Sequence, residues 1–297
     1  MGTPSSILTT DEPIHPVNRS TRRTRTFVAR LVVYLAMIVL SLAVLIPFIW
    51  MISTSLKSSS TMWSFPPKWI PKPFEWKNYS QAFHEVPLAR YFGNTMIIEF
   101  FVILGQVLSC TLIAYGFSRF RFRGREVLFM IVLATMLIPQ QVTMIPMFEM
   151  FKWLGWINTY LPLTVPSYFG NPFYIFMMRQ FLQTIPLDLD EAAKIDGANS
   201  FQTLWRIIVP LLRSSIMIVI VFTFTDVYND FMGPLIYLDD PNKFTLAVGL
   251  ENFVSGFGTE WNLLMAGSTV ALLPLLILYY FAQKQLIGGI ASMGLKG

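Results

Sequence analysis

The chain has 297 residues, of which 54% are hydrophobic and 13% are charged, with a formal net charge of +5. This apolar content exceeds what a water-soluble domain buries, and the charges cluster between apolar stretches long enough to cross a bilayer. The basic residues lie beside these stretches and form no continuous face, so we expect a membrane protein with no nucleic-acid partner.

The first 26 residues are polar, contain three prolines and end in a cluster of arginines. We expect residues 1–26 to be a disordered tail. The apolar run Phe27–Ile52 that follows is too long for the core of a signal peptide, and no convincing Ala-x-Ala cleavage site comes after it. We therefore interpret it as a retained transmembrane helix.

Hydropathy predicts an all-α polytopic protein with six transmembrane helices over residues 27–297. The six predicted spans are Phe27–Ile52, Tyr91–Phe117, Val127–Phe151, Tyr160–Phe181, Ile207–Tyr228 and Leu263–Leu286. Three prolines and Gly170 interrupt the fourth, where a continuous helix would lose several backbone hydrogen bonds. We expect that span to be bent or partly unwound and packed against protein.

Lys and Arg predict the orientation, because they are retained preferentially on the cytoplasmic side. They are concentrated in the N-terminal tail, in 118–126 and in 179–213, whereas the loop 228–262 carries several acidic residues. Both termini are therefore expected in the cytoplasm.

The loop Ile185–Leu212 has the sequence of two helices separated by a break. Pro186 suits a first helical turn, three acidic residues follow it at the positive end of the helix dipole, and two alanines favour helix. Asp196-Gly197 is expected to stop this helix, and Ser200 to cap the next one.

Ala192 and Ala193 beside Glu191 are expected to leave a flat patch that another protein's backbone could approach, with one carboxylate as a charged anchor. The alternative is an ordinary interfacial turn that only links two spans.

This loop resembles the EAA motif of permease subunits of ATP-binding-cassette importers. The matching residues are Glu191, Ala192, Ala193, Gly197, Ile207 and Pro210, and the one departure is Val209 in place of the usual leucine. The stretches 47–57, 114–125 and 229–235 and the glycine-rich tail ending in Lys296-Gly297 are similar to the maltose-type, binding-protein-dependent sugar branch. The resemblance extends over about 27–297.

The resemblance implies a subunit of a bacterial inner-membrane importer for a sugar or sugar-like solute. Its implied partners are a second, related permease, two ATPase subunits that bind ATP and Mg, and an external solute-binding protein. Pro186–Asn199 would then be a cytoplasmic coupling helix: Glu191 would contact a basic ATPase residue, Ala192, Ala193 and Ile195 would pack against the ATPase, and Gly197 would permit the bend.

Polar residues within the spans are candidates for a solute path, since charge in hydrocarbon is costly and usually faces a cavity or a partner. The candidates are Glu99, Gln140, Gln141, Asn171, Tyr174, Asp226, Tyr228, Asn229 and Asp230. The alternatives are an interhelical hydrogen bond for Glu99, satisfaction of backbone freed by Pro139 for the two glutamines, and helix capping for 226–230.

Two other protein classes compete with this interpretation. An ion-coupled secondary transporter would suit six spans with broken helices but needs no docking helix. An intramembrane enzyme is disfavoured, because the lone Cys110, the distant His15 and His84, and the lack of nucleophile or phosphate-loop motifs predict no catalytic site, metal or cofactor in this chain. The solute stays open among disaccharides, oligosaccharides and glycerol phosphates.

Overall fold

The computed structural model describes residues 19–255 and 258–294, which form helices, their connections and one short hairpin. Contacts divide the chain into two units, Met1–Trp50 and Met51–Gly297. Helix α1 (Arg19–Ser55) contains the first predicted span and begins eight residues before it. Residues 1–18 of the predicted N-terminal tail lie outside the described residues. So do Lys296 and Gly297, which end the glycine-rich C-terminal stretch.

The helices after α1 are α2 (Lys77–Glu85), α3 (Leu88–Arg119), α4 (Arg125–Ala134), α5 (Gln140–Trp153), α6 (Leu161–Thr164), α7 (Pro172–Thr184), α8 (Asp188–Ile195), α9 (Ser200–Thr203), α10 (Val209–Leu211), α11 (Arg213–Tyr228), α12 (Met232–Tyr237), α13 (Leu246–Glu251) and α14 (Trp261–Gly294). Strands β1 (Val254–Ser255) and β2 (Gly258–Thr259) pair antiparallel, with Val254 opposite Thr259. The largely helical fold agrees with the predicted class.

Three helices are long and apolar enough to cross a membrane: Phe27–Ser55, Leu88–Arg119 and Trp261–Lys284. They correspond to the first, second and sixth predicted spans. Two further spans are possible as bent pairs, Arg125–Leu137 with Gln140–Trp153 and Ser200–Leu211 with Arg213–Tyr228. The described residues therefore give three to five candidate spans, and the count of six stays a prediction.

The third predicted span, in which Pro139 was expected to free backbone groups, is bent by 97° between α4 and α5. A 3₁₀ turn extends α4 to Leu137, and the backbone at Ile138 and Pro139 is then extended. Proline has no N–H to donate and disfavours the helical conformation of the residue before it, which accounts for the break at Ile138.

The fifth predicted span is bent by 78° at Leu212. A π-helical turn, Leu204–Ile208, leads into α10, where Pro210 cannot donate a helical hydrogen bond. Ile207 and Pro210 therefore lie in an irregular segment before α11, and only residues from Arg213 onward form the straight part of this span.

The fourth predicted span is interrupted, as expected. It consists of α6, a 3₁₀ turn (Val165–Phe169), Gly170 at φ +89° and α7, which begins at Pro172. Such a segment frees backbone polar groups that need partners within an apolar environment.

Helix α3 supplies partners for this interrupted segment. The Ser109 hydroxyl lies 3.0 Å from the carbonyl oxygen of Ser167, and the backbone N–H of Asn171 donates to the Cys110 sulfur at 3.3 Å. Cys110 is fully buried. Gly105, one turn before Ser109, lets the two segments approach closely, since an added Cβ would lie 2.8 Å from the Tyr168 ring.

Two apolar cores pack against α3. One contains Cys110 and Tyr115 of α3 with residues of α4, α7 and α11 and the π turn. The other contains Leu88 and Tyr91 of α3 with residues of α2, α11, α13 and α14. Helix α3 therefore holds the second unit together.

We predict that Gly105→Ala lowers the free energy of unfolding by about 1–3 kcal/mol, because the new methyl group would overpack the contact with Tyr168. The matched control is Gly93→Ala on the same helix, where an added Cβ meets nothing within 4 Å. Thermal denaturation in detergent, followed by tryptophan fluorescence, measures both. Equal melting temperatures for the two variants would contradict the close approach.

Candidate functional sites

Helix α8 is the short helix predicted within the loop 185–212. It begins at Asp188, two residues after the expected Pro186, and ends at Ile195. Its first turn contains three acidic residues and its last turn Lys194, so both helix ends carry the charge that complements the dipole.

Gly197 ends this helix in the predicted left-handed conformation, at φ +83°. Its N–H donates to the carbonyl of Lys194 at 3.0 Å, and the N–H of Ala198 donates to the carbonyl of Ala193 at 2.9 Å. These two bonds form a Schellman motif, which satisfies the last helical carbonyls and turns the chain sharply.

Asn199, and not the predicted Ser200, caps the next helix. Its side-chain oxygen accepts from the Gln202 N–H at 2.9 Å, and the Gln202 side chain accepts from the Asn199 N–H at 3.0 Å. This reciprocal capping box fixes the start of α9. The break between α8 and α9 is therefore fixed by the Gly197 turn at the end of α8 and by the Asn199 capping box at the start of α9.

The two alanines of the motif lie on different faces of α8, so the predicted flat patch is wrong for Ala193. Ala193 is only 4% exposed, whereas Ala192 and Glu191 are exposed. Ile195 is 86% exposed, and Leu187 before the helix is half exposed. The outward face therefore combines a carboxylate, a small residue and apolar side chains.

The inward face of α8 is held by Asp190, which sequence analysis did not single out as a site residue. Asp190 Oδ2 lies 3.1 Å from Arg119 Nε, and Tyr115 donates to Asp190 Oδ1 at 3.3 Å. Arg119 also donates through Nη2 to the carbonyl of Ile185 at 3.1 Å. The ion pair therefore joins the last turn of α3 to the start of the loop.

Glu99, Tyr174 and Asp226 are brought together from three helices. Glu99 is 2% exposed, and neither of its carboxylate oxygens has a hydrogen-bond partner among the described residues. It interacts electrostatically with Asp226 of α11, whose carboxylate accepts from the Tyr174 hydroxyl at 3.2 Å. Asp226 itself is exposed. Tyr228 lies nearby but donates to the carbonyl of Ala271 on α14 at 2.7 Å.

Gln140 and Asp230 line a separate cavity of about 280 Å³ between α5, α6 and α12, whose other walls include Met147 and Tyr237. Asp230 accepts from the N–H of Gly233 at 3.0 Å, and burial raises the pKa of its carboxyl above the ordinary value. Gln141 is exposed and does not line this cavity.

The remaining two candidates make local contacts. Asn171 caps α7 by accepting from the N–H of Phe173, and Asn229 donates to the carbonyl of Thr225. The contact of Asn229 fits the helix-capping alternative that was given for 226–230. Among the residues the structure describes, no group of three His, Cys, Asp or Glu side chains could hold a metal ion.

Comparison with known proteins places this geometry in a family. The family described as binding-protein-dependent transport system inner membrane component matches residues 102–291. The arabinooligosaccharides transport system permease protein AraQ of Bacillus subtilis is 31% identical over 273 residues, 91% of this chain and 97% of that protein. The galactooligosaccharides transport system permease protein GanQ of Bacillus subtilis is 31% identical over 281 residues, 93% of this chain and 98% of that protein.

Solved structures agree on the fold. A chain from the crystal structure of a bacterial ABC transporter involved in the import of the acidic polysaccharide alginate matches 89% of this chain and 98% of its own length, with a TM-score of 0.77 and 24% identity. A chain from the alginate transporter in complex with an alginate pentasaccharide-bound periplasmic protein matches 90% and 96%, with a TM-score of 0.59 and 17% identity. With the family match over residues 102–291, the chain belongs to the inner membrane components of binding-protein-dependent transport systems.

Proposed function

We propose that this chain is a permease subunit of an ATP-driven importer for a sugar or sugar-like solute, and that α8 is its docking element for a separate ATPase. The observation that carries the proposal is the loop geometry. A short helix ends in a Schellman turn at Gly197, and its outward face presents Glu191 and the strongly exposed Ile195. The relatives named for arabinooligosaccharide and galactooligosaccharide transport support the solute class.

The complete importer in this proposal contains a second, related permease, two ATPase subunits that bind ATP and Mg, and an external solute-binding protein. It lies in a bacterial inner membrane with six spans and both termini in the cytoplasm. The partners fit the family description and the periplasmic protein named in the alginate complex. The cytoplasmic placement rests on the concentration of Lys and Arg in 118–126 and 179–213.

The solute path in this proposal passes the face of α11 that carries Asp226. An exposed carboxylate within an apolar span would be costly against lipid, so it is expected to face a water-filled cavity shared with the second permease. Phe222, one turn before Asp226, is also exposed. A carboxylate and a hydroxyl can bind sugar hydroxyl groups, and an aromatic ring can cover a C–H face of the sugar.

An ion-coupled secondary transporter has no use for a docking helix, and the family match disfavours it. The decisive test is solute uptake by proteoliposomes containing the complete complex and its binding protein. We expect uptake to require ATP inside the vesicle and to be unaffected when proton and sodium gradients are collapsed. Uptake that follows an ion gradient without ATP would refute the proposal.

Gly197→Val is predicted to uncouple ATP hydrolysis from solute uptake while leaving the chain inserted in the membrane. An added Cβ meets nothing within 4 Å, so the penalty, about 1–2 kcal/mol, comes from the left-handed backbone alone. Gly197→Asn is the control, because asparagine tolerates this conformation. The ratio of solute moved to ATP hydrolysed distinguishes the two variants. A wild-type ratio for the valine variant would contradict the proposed role of the turn at Gly197.

Glu99→Leu is predicted to stabilise the protein by about 1–3 kcal/mol, because it removes a buried carboxylate without hydrogen-bond partners among the described residues. If Glu99 belongs to the path, the same variant loses most of its uptake. Glu149→Leu is the control, since that side chain is 65% exposed and its replacement should change neither property. Wild-type uptake by the Glu99 variant would remove Glu99 from the path.

A further inference from the structure

The last turn of α3 holds the inward face of α8 through buried side chains. The side chains of Arg119 and Asp190 are only 6% and 10% exposed, and Nε and Oδ2 lie 3.1 Å apart. Tyr115, one turn earlier on the same face of α3, donates to the other carboxylate oxygen of Asp190. One hydrogen bond, from Tyr115, and one ion pair, from Arg119, therefore connect a single helix to both oxygens of one carboxylate.

We propose that Arg119 and Asp190, assisted by Tyr115, are positioning residues that make α8 and the end of α3 move as one body. This inference rests on the proposed function of α8 as the docking element. A motion imposed on α8 by an ATPase is then delivered directly to the second predicted span, and not only to α7 and α9, its neighbours along the chain.

Arg119 reaches a third element as well. Its Nη2 donates to the carbonyl of Ile185, the C-cap residue that follows α7. The same guanidinium therefore contacts both the start of the loop and the helix within it. Because a guanidinium is planar and permanently charged, these contacts constrain the orientation of α8 as well as its distance from α3.

Movement of this end of α3 would reach the candidate path. Glu99 and Arg119 lie twenty positions apart on the same helix, which corresponds to about 30 Å of helix length. Between them, Gly105 and Ser109 contact the interrupted fourth segment. A displacement of the Arg119 end therefore shifts the surroundings of Glu99 and Asp226 without further intermediates.

A set of alanine variants tests the positioning role against a merely structural one. Asp190→Ala and Arg119→Ala each leave one buried charge unpaired and are expected to lower thermal stability, whereas the double variant removes both charges and recovers part of it. If the pair only stabilises the loop, the double variant recovers its ratio of solute moved to ATP hydrolysed together with its thermal stability. If it positions α8, the double variant still binds the ATPase and hydrolyses ATP, but solute moved per ATP falls by about tenfold.

Arg121→Ala is the matched control, because Arg121 is exposed two residues beyond Arg119. It should keep the wild-type ratio of solute to ATP. The wild-type complex, measured in the same vesicles, distinguishes failure of the proposed function from failure of the positioning role. If the wild type shows no ATP-driven uptake, the proposed function fails; if the wild type and the double alanine variant are equally coupled, only the positioning role fails.

A second measurement applies to a complex with the ion pair intact. Spin labels on Arg121→Cys and Lys194→Cys, both at exposed positions, report the distance between the end of α3 and α8. Cys110 is fully buried and is therefore protected from the label. We expect the same distance distribution in the nucleotide-free and ATP-trapped complexes, and a shift of several Å between these states would overturn the proposal.

Discussion

The need to satisfy backbone polar groups in an apolar environment shapes this protein more than any other constraint. The segment from α6 to α7 frees such groups, and α3 supplies partners for them. The Ser109 hydroxyl lies near the Ser167 carbonyl, and the Cys110 sulfur accepts from the N–H of Asn171. Gly105 allows the approach that these contacts require. The two apolar cores also pack against α3, so this helix connects the interrupted segment to the rest of the second unit.

The loop 185–212 was largely predictable from sequence because its structure is determined locally. Acidic residues at a helix start and a glycine after its end have the same effect in most surroundings, and Gly197 adopts the expected conformation. The errors are also local. Asn199 and Ser200 are both good caps, so sequence alone could not choose between adjacent positions. Helical periodicity separates the adjacent Ala192 and Ala193 by about 100° around the axis, which could have predicted that they do not share one face.

Features that depend on distant parts of the chain were less predictable. Tyr115 and Asp190 are 75 positions apart, and one sequence gives no sign that they meet, although an aspartate beside the motif and an arginine ending a span were available signals. Sequence could not tell which polar candidates lie close together. Glu99, Tyr174 and Asp226 do so in the structure, whereas Asn171 and Asn229 make hydrogen bonds at helix ends. The bend at Pro139 was foreseeable from the proline, but its 97° angle depends on packing.

The outward surface of the loop has a consequence for how the cell accumulates this protein. Ile195 and Phe201 present apolar side chains to water on a helical hairpin whose shape is already fixed by caps and a glycine turn. In the proposed importer, an unassembled copy would keep this surface accessible to chaperones and membrane proteases until an ATPase subunit covers it. Subunit stoichiometry would then be set by degradation of unassembled copies, and the amount of ATPase would limit how many copies of this chain persist.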